Sequence, residues 1–278
     1  MKMTTTNHLL EYSISDNVTA FTTTREGGCS IGTYSSFNVN RFCGDDITHV
    51  KRNQEILCNK LHIATDALII PHQTHSTNVM VIDEAFLSLP AEKKQNRLEG
   101  IDALVTDRKD IAICVSTADC VPIIIHDTKH HTSAAIHAGW RGTANRIAEK
   151  TFDMMHELFG TEGKDCCAVI GPSISVDSFE VGDEVYDTFM KAGFDMKTIA
   201  RLQPRMHAIA GAEPAESLPM KWHIDLWECN RLQLMSKKID ANNIHVAGIC
   251  TYKNSDKFFS ARKMGINSGR LLTGIILR

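Results

Sequence analysis

The sequence predicts an α+β protein built around mixed β-sheets. Short apolar runs of strand length occur in clusters, often several before a helix, which differs from the regular alternation of a βαβ winding. No internal repeat, low-complexity tract or clear break in composition divides the chain. We therefore predict a single domain over residues 1–278, a length at which one chain can bury a large core.

The clearest strands lie in the middle of the chain and at its end. Each predicted strand is a short, mostly apolar run rich in Ile, Val and Ala. The predicted strands are "ALVTD" (103–107), "IAICVS" (111–116), "VPIIIHD" (121–127), "SAAIHA" (133–138), "CCAVIGPSI" (166–174), "NIHVAGIC" (243–250) and "RLLTGIILR" (270–278).

Three segments carry apolar residues at helical spacing, and two others have the composition of loops. The predicted helices cover 142–160, with Ile147, Phe152, Met155 and Phe159 inward; 177–193, with Val181, Val185 and Phe189 inward; and 223–239, with Leu226, Leu232, Met235 and Ile239 inward. Gly160 and Gly193 are predicted to end the first two. The predicted loops are "AEKKQNRLEG" (91–100) and "AGAEPAESLPMK" (210–221).

Composition limits the classes of partner. The chain is 43% hydrophobic and 23% charged, with a net charge of −3, which gives no support to a general nucleic-acid or anionic-membrane surface. No uncharged apolar run approaches the roughly 18 residues of a spanning helix. Without a Gly-rich strand-to-helix turn, a nucleotide cofactor site has no support either. We expect a small-molecule substrate, with no nucleic acid and no membrane, and the oligomeric state is open.

The start of the chain and its cysteines bear on the compartment. The first residues, "MKMTTTNHLLEYSIS", lack the apolar core and cleavage site of a signal peptide. The nine cysteines are an odd number and are scattered along the chain, which is typical of reduced thiols and not of a disulfide framework. Both features predict a cytoplasmic protein.

Cysteine and histidine residues provide the candidate chemistry. Cys120 lies in "STADCVP", between two predicted strands, where a thiol can face a pocket or can equally be a buried core residue. His137 ends a strand and leads into "GWRGT", whose glycines permit a tight turn. His72 and His75 lie three residues apart in "PHQTHSTNV", and the pattern alone does not choose between them.

One cysteine and two histidines make a three-ligand zinc set that leaves a fourth position for water or substrate. Their separations of tens of residues do not suit a structural zinc finger, which uses close pairs. An open catalytic site fits this spacing better.

The motifs occur in an order that resembles the YfiH-type family, whose members are known as laccase-domain or polyphenol oxidoreductase proteins, as peptidoglycan editing factors, and as purine nucleoside phosphorylases with adenosine deaminase activity. The resemblance runs over nearly the whole chain. It rests on "TREGGCSIGTYSSFNVN", "CGDDITHVKRNQEIL", "QTHSTNV", "DALVTD", "TADCVPIII", "HAGWRGT", "GPSIS" with "FEVGDEV", "HIDLWECNRLQL" and "CTYKNSDKFFSARK" with a following "GR". Departures at "NVNRFCG" and "SARK" affect the expected shape of the pocket.

The resemblance implies a fold, a metal site and an activity. It implies a four-layer α/β/β/α arrangement with mixed sheets, the CNF-toxin/YfiH-like cysteine hydrolase fold shared with a deamidating bacterial toxin. It implies that His75, Cys120 and His137 bind Zn2+, with His72 a neighbour, and that these three residues are catalytic. The implied activity is phosphorolysis of adenosine, inosine and methylthioadenosine, together with deamination of adenosine.

Other residues are candidates for substrate contact or proton transfer. Phosphate must be held by cationic or N–H donors, for which the candidates are Arg25, Arg141 and Arg262, with Asn40 as a polar contact. Each arginine could instead be structural. Asp119, next to Cys120, is a candidate orienter or proton carrier, or a residue that caps the turn.

Three rival interpretations stay open. Cys120 as nucleophile with His137 as base would make a cysteine hydrolase or amidase. Copper, which outcompetes zinc at most sites with nitrogen and sulfur ligands, could load in vitro and give weak polyphenol oxidase activity. No two histidines here form the His-x-His pair of multicopper oxidases. A role in peptidoglycan editing, with or without hydrolysis of a muropeptide precursor, is the third.

Overall fold

A computed structural model describes residues 2–6, 8–205 and 219–278 of the chain. The predicted loop at 210–221 therefore lies mostly outside the described residues. The strands are β1 (Lys2–Thr6), β2 (Leu9–Ser13), β3 (Val18–Thr23), β4 (Leu68–Ile69), β5 (Val79–Val81), β6 (Ala103–Thr106), β7 (Ala112–Thr117), β8 (Val121–Asp127), β9 (Thr132–Ala138), β10 (Cys166–Ile170), β11 (Glu180–Val181), β12 (Ala200–Pro204), β13 (Met220–Ile224), β14 (Ile244–Val246) and β15 (Leu271–Leu277). The α-helices are α1 (Ile47–Leu61), α2 (Glu84–Leu87), α3 (Ala91–Arg97), α4 (Trp140–Ala144), α5 (Ile147–Phe159), α6 (Asp183–Lys191), α7 (Met196–Ile199), α8 (Leu226–Ser236) and α9 (Ala261–Met264).

The strands form two six-stranded sheets and one small sheet. Sheet A has the order β1-β2-β3-β15-β7-β4, sheet B the order β14-β10-β8-β9-β6-β5, and a three-stranded sheet the order β11-β13-β12. Both large sheets are mixed: β4 runs parallel to β7 in sheet A, and β5–β6 and β10–β14 are parallel pairs in sheet B. The prediction of an α+β protein with mixed sheets is confirmed.

Three apolar clusters show how the layers stack. The middle cluster joins Val115 and Ile275 of sheet A to Ile124 and Val169 of sheet B, so the two sheets pack face to face. The outer face of sheet B packs against α5 and α8, whose contributions include Ile147, Met155, Leu226 and Leu234. On the other side, Leu57 and Leu61 of α1 cover Cys114 and Leu272 of sheet A. The result is the expected α/β/β/α order.

Local sequence explains where α1 begins and ends. The Asp46 side chain accepts a hydrogen bond from the Thr48 backbone N–H, which satisfies an otherwise unpaired donor at the first turn. Val50, Leu57 and Leu61 recur at helical spacing and are buried. The helix ends at His62, whose backbone is left-handed.

Two predicted helices are shorter than expected. The helix predicted over 142–160 is two helices, α4 and α5, because Arg146 adopts a left-handed conformation with a φ of 63°. The segment predicted as one helix over 177–193 is α-helical only in α6, and Val181 belongs instead to β11, where it pairs with Trp222. The glycines were assigned correctly, since Gly160 and Gly193 both have positive φ just after helix ends.

Two further predictions were wrong. Residues 91–97 form α3 and not a loop, which accords with the strong helix formers in "AEKKQNR" and with Pro90 before the first turn. In the last predicted helix, His223 and Ile224 belong to β13, and Met235 of α8 is exposed instead of inward. In the described residues, no helix combines the length and apolarity needed to cross a membrane.

The core between the two sheets should contribute strongly to stability. Ile124 is fully buried there, so Ile124→Ala removes methyl groups and leaves a cavity. We expect the free energy of unfolding to fall by about 2–5 kcal/mol. Ile31 is 71% exposed and supplies the matched control. Ile31→Ala should change the free energy of unfolding by less than about 0.5 kcal/mol. Denaturant unfolding measures both; equal losses would contradict the assigned core.

Candidate metal centre

The three predicted ligands lie where the chain passes between the two large sheets. Cys120 is in the short link from β7 of sheet A to β8 of sheet B, and His75 is in the longer link from β4 of sheet A to β5 of sheet B. His137 is near the end of β9, next to β8. Segments far apart in sequence therefore meet at one end of the paired sheets.

The side chains of His75, Cys120 and His137 converge. Their potential ligand atoms all lie within 4.8 Å of one another, and Sγ of Cys120 is 3.7 Å from Nε2 of His75. His75 has a positive φ of 61°, a strained conformation for a residue other than glycine. A Cβ added at Gly139 would lie 2.9 Å from the His75 ring and 3.1 Å from Sγ of Cys120, so a side chain at this position would displace the His75 ring.

Asp102, a residue not among the predicted site residues, holds both histidines. Its carboxylate is fully buried, and one oxygen accepts a 2.7 Å hydrogen bond from Nδ1 of His137. The backbone N–H groups of Thr74, His75 and Ser76 donate to the same carboxylate, as does the Ser76 hydroxyl. Although burial alone would raise the pKa of Asp102, the hydrogen bonds and charge of His137 and the hydrogen bonds from Ser76 lower it.

The thiol and the imidazole behave as a coupled pair. Burial would raise the pKa of Cys120, but the charge of His137 and the hydrogen bonds from both histidines lower it to about 6. Burial would lower the pKa of His137, but the thiolate and the Asp102 carboxylate raise it to about 9. Without a metal ion, a thiolate beside an imidazolium is the favoured state.

The donor set fits a borderline-soft divalent cation. One sulfur and two imidazole nitrogens are ligands that zinc prefers, and a three-residue set leaves a coordination position open. His137 directs Nδ1 at Asp102, which leaves Nε2 as its metal-facing atom, in the carboxylate–histidine arrangement common at zinc sites. Among the described residues, these three form the one group of three or more His, Cys, Asp or Glu able to hold a metal.

His72 points to a different partner. Its Nδ1 lies 2.7 Å from Glu99, and its ring stacks on Phe42 with 4.3 Å between centroids. His72 and Phe42 line the same cavity as the three potential ligands. The resemblance therefore selected the histidine that the structure places in the group, and left the other as a neighbour.

The Asp119 carboxylate is engaged away from Cys120. One oxygen accepts from the Thr251 hydroxyl at 2.6 Å, and the other accepts from the backbone N–H of Arg262 at 2.6 Å. Asp119 also has a positive φ of 82°. These contacts attach the Cys120 turn to the C-terminal segment and favour the interpretation of Asp119 as a residue that caps the turn. A role of Asp119 in proton transfer stays a prediction.

The three predicted arginines do not line the cavity. The guanidinium of Arg25 donates to the backbone carbonyls of Ser35 and Ser255. Arg262 donates to the carbonyl of Glu180, and Arg141 lies over the ring of Trp140 at 4.3 Å. Because none of the three lines the cavity, phosphate binding there by any of them stays a prediction that their positions do not favour.

Asn40 does line the cavity, within a network of amides. Its Nδ2 donates to the Ser116 hydroxyl, while Gln73 both accepts from the Ser116 backbone N–H and donates to its carbonyl. The network attaches the end of β7 to the segments that contain Asn40 and His75. Asn40 therefore shapes the wall; direct contact with substrate stays a prediction.

The cavity beside the group has a volume of about 250 Å3. Its walls include the aromatic pair Phe42 and His72, and the hydroxyl-bearing Thr117. The Thr117 hydroxyl oxygen is buried and has no hydrogen-bond partner in the described part of the chain. Arg270, which was not among the predicted site residues, also lines the cavity.

Residues 19–278 match the family model described as multi-copper polyphenol oxidoreductase laccase. The chain belongs to this YfiH-type family. A purine nucleoside phosphorylase of Bacteroides thetaiotaomicron is 47% identical over 261 residues, which cover 94% of this chain and 92% of that one. Adenosine deaminase RL5, from an unknown prokaryotic organism, is 41% identical over 260 residues, 94% of each chain.

Solved structures show the same YfiH-type fold. The Bacillus licheniformis hypothetical protein YfiH has a TM-score of 0.85 at 26% identity, covering 98% of this chain and 97% of that one. YlmD from Geobacillus stearothermophilus has a TM-score of 0.84 at 27% identity, covering 99% and 98%. These matches confirm the family and the α+β fold predicted from the motifs.

Two further site residues lie inside the motifs that carry the family resemblance. Asp102 begins "DALVTD", and Arg270 ends the "GR" that follows "SARK". An acidic residue directly before a buried strand was the available signal for Asp102. No sequence signal separated Arg270 from the other arginines, because its role depends on which loop lies beside it.

Asp102→Asn tests the buried carboxylate. An amide cannot accept from all the donors that surround Asp102, so we expect the free energy of unfolding to fall by about 1–3 kcal/mol. We also expect zinc affinity to fall about 10- to 100-fold. Denaturant unfolding and titration against a competing chelator measure the two effects. The exposed Asp16→Asn is the control; a normal zinc affinity in Asp102→Asn would contradict the orienting role.

Thr117→Val tests whether the buried hydroxyl has no partner. Removing an unpaired hydroxyl should leave the free energy of unfolding unchanged or raise it by about 1 kcal/mol. Thr106 is a matched control, because it also ends a strand but donates to the Ile82 carbonyl at 2.7 Å. Thr106→Val should cost about 1–3 kcal/mol. Equal losses in the two variants, measured by denaturant unfolding, would mean that Thr117 is hydrogen-bonded.

Proposed function

We propose that the protein is a zinc-dependent purine nucleoside phosphorylase that also deaminates adenosine. The observation that carries the proposal is the convergence of His75, Cys120 and His137 beside one cavity. Relatives named purine nucleoside phosphorylase and adenosine deaminase support this class of small-molecule substrate. Adenosine, inosine and methylthioadenosine are the proposed nucleosides. The free cysteines among the described residues suit a reducing compartment, and we propose the cytoplasm.

In this proposal Cys120, His75 and His137 each give one ligand atom to a zinc ion. When bound, the ion would supply Lewis acidity that lowers the pKa of a water ligand towards about 7. Asp102 would keep the proton on Nδ1 of His137, so that the other ring nitrogen stays available as a ligand. The same carboxylate would keep the His75 loop in place, because it accepts from three successive backbone N–H groups.

Nucleoside cleavage and deamination make different demands on the cavity. In phosphorolysis, phosphate attacks C1′ of the ribose while positive charge develops on the sugar, and the attacking anion needs cationic or N–H donors. In deamination, water attacks C6 of adenine, and the base must be held with that carbon towards the potential ligands. Phe42 and His72, stacked on one another in the wall, offer an aromatic surface for a purine.

A thiol hydrolase is the second candidate, and one observation favours it. The Cys120 thiol lies beside His137, which is hydrogen-bonded to Asp102, so the three would act as nucleophile, base and orienting carboxylate. The lowered pKa of Cys120 suits a nucleophile. This mechanism needs a thiol that is not bound to metal. Activity that survives complete zinc removal would support it over the phosphorylase. A muropeptide precursor would then be the substrate to test, as for a peptidoglycan editing enzyme.

Copper-dependent phenol oxidation is a weaker candidate despite the family's description. Multicopper oxidases need several copper sites, and the described residues contain one group suited to a metal. Copper would bind this N/S site in vitro, since it outcompetes zinc at such ligands. Oxidase activity that appears only after copper loading would therefore reflect the loaded metal.

The direct test incubates zinc-loaded protein with adenosine, with and without phosphate, and identifies the products. We expect inosine in both conditions, and adenine with ribose 1-phosphate only when phosphate is present. Cys120→Ser should lower both activities by at least about 100-fold, because a ligand matters more than the groups that orient it. Chelation should abolish both activities, and added zinc should restore them.

Cys167→Ser is the matched control, because Cys167 is a half-buried thiol on β10 that donates weakly to backbone carbonyls. Cys167→Ser should leave phosphorolysis and deamination within about twofold of the wild-type activities, as expected for a substitution away from the site. Inertness of the wild-type protein towards adenosine under both conditions would refute the proposal, and UDP-linked muropeptides would be assayed next.

A further inference from the structure

Arg270 lies beside the candidate metal centre because of strand register. It immediately precedes β15, and Leu271 pairs with Thr117 at the end of β7. One further step along this antiparallel ladder brings Arg270 opposite Ala118, two residues before Cys120. Arg270, Ala118 and Cys120 accordingly line the same cavity.

No acidic side chain forms an ion pair with the guanidinium of Arg270 in the described part of the chain. None of the described ion pairs includes it, and the wall of the cavity contains no Asp, Glu or Lys and no second Arg. A positive charge therefore faces a cavity next to the potential metal ligands. Such a charge attracts an anion more strongly than it would in open water.

The guanidinium is also held in one orientation. Nη1 donates to the backbone carbonyls of Ser268 and Gly269, and Nη2 donates to that of Ile266 at 2.9 Å. The Arg270 backbone N–H donates to Asn38. Within the described residues the Nε–H has no acceptor, so a donor remains for a ligand. Carbonyl oxygens fix the side chain without cancelling its charge, which preorganises it for an anion.

We propose that Arg270 binds the phosphate co-substrate. This inference rests on the proposed function, because it names the residue that holds the attacking anion in phosphorolysis. Phosphate is the class of ligand that an oriented guanidinium binds best, through charge-assisted hydrogen bonds. Arg25 and Arg262, by contrast, donate to backbone carbonyls outside this cavity.

Arg270→Gln and Arg270→Lys test the proposal in zinc-loaded protein. We expect Arg270→Gln to raise the KM for phosphate in phosphorolysis about 10- to 100-fold, the effect of losing one charge-assisted hydrogen bond. Arg270→Lys keeps the charge but loses the planar guanidinium, so its KM for phosphate should rise less than that of Arg270→Gln. The ratio of phosphorolysis to deamination should fall about 10-fold or more in Arg270→Gln, because only phosphorolysis uses phosphate. Bound zinc and denaturant unfolding, measured in both variants, check the metal centre and the fold. Arg52→Gln, an exposed charge on α1, is the control.

Binding of inorganic phosphate to the zinc-loaded protein, measured by calorimetry, separates this proposal from the proposed function. If the wild-type protein cleaves no nucleoside yet binds phosphate, and Arg270→Gln does not bind it, the proposed function fails and the phosphate site stands. An unchanged KM for phosphate in both Arg270 variants would overturn the proposal. So would a raised KM in Arg141→Gln alone, or the absence of phosphate binding by the wild-type protein.

Discussion

The buried carboxylate of Asp102 is the group around which the rest of the site is arranged. Removing a carboxylate from water is costly unless donors replace the solvent, and here three backbone N–H groups, one hydroxyl and one imidazole do so. The same hydrogen bonds that stabilise the charge also attach the His75 loop to His137. The hydrogen bonds that offset the cost of burying Asp102 therefore also position the two histidines.

The packing of the two sheets explains why this arrangement of side chains is rigid. Asp102 directly precedes β6, and His137 is the next-to-last residue of β9, which pairs with β6 in sheet B. Cys120 arrives from sheet A on a link of three residues, which leaves little freedom between two well-packed strands. The strained backbone of His75 and of Asp119 lies in these links, where hydrogen bonds to Asp102 and to Thr251 hold it in place.

The site also depends on the two ends of the chain. Asn40 arrives after β3 and is joined to Ser116, while Arg270 arrives just before β15 and is attached through its N–H to Asn38. Asp119 binds the backbone of α9. The Cys120 thiol, the imidazoles of His75 and His137, the Arg270 guanidinium and an aromatic pair thus surround one cavity, and the proposed function rests on this combination. The chemistry comes from five separate segments, and the fold supplies their proximity.

The sequence by itself determined the α+β class and most strands, because apolar runs of strand length are local properties. The order of its motifs indicated the family, and the family resemblance, not the residue pattern, selected His75 in preference to His72 beside Cys120 and His137. The pattern of apolar residues did not show the break at Arg146, which depends on one left-handed backbone conformation. The helix over 91–97 follows from local helix propensity, a sequence signal that the loop prediction for this segment missed. Tertiary structure alone decided that Asp102 would face His137 and that Arg270, instead of Arg25, Arg141 or Arg262, would face the cavity. A charged side chain acquires its role from the partners that surround it, and those partners come from strands whose pairing no local pattern specifies.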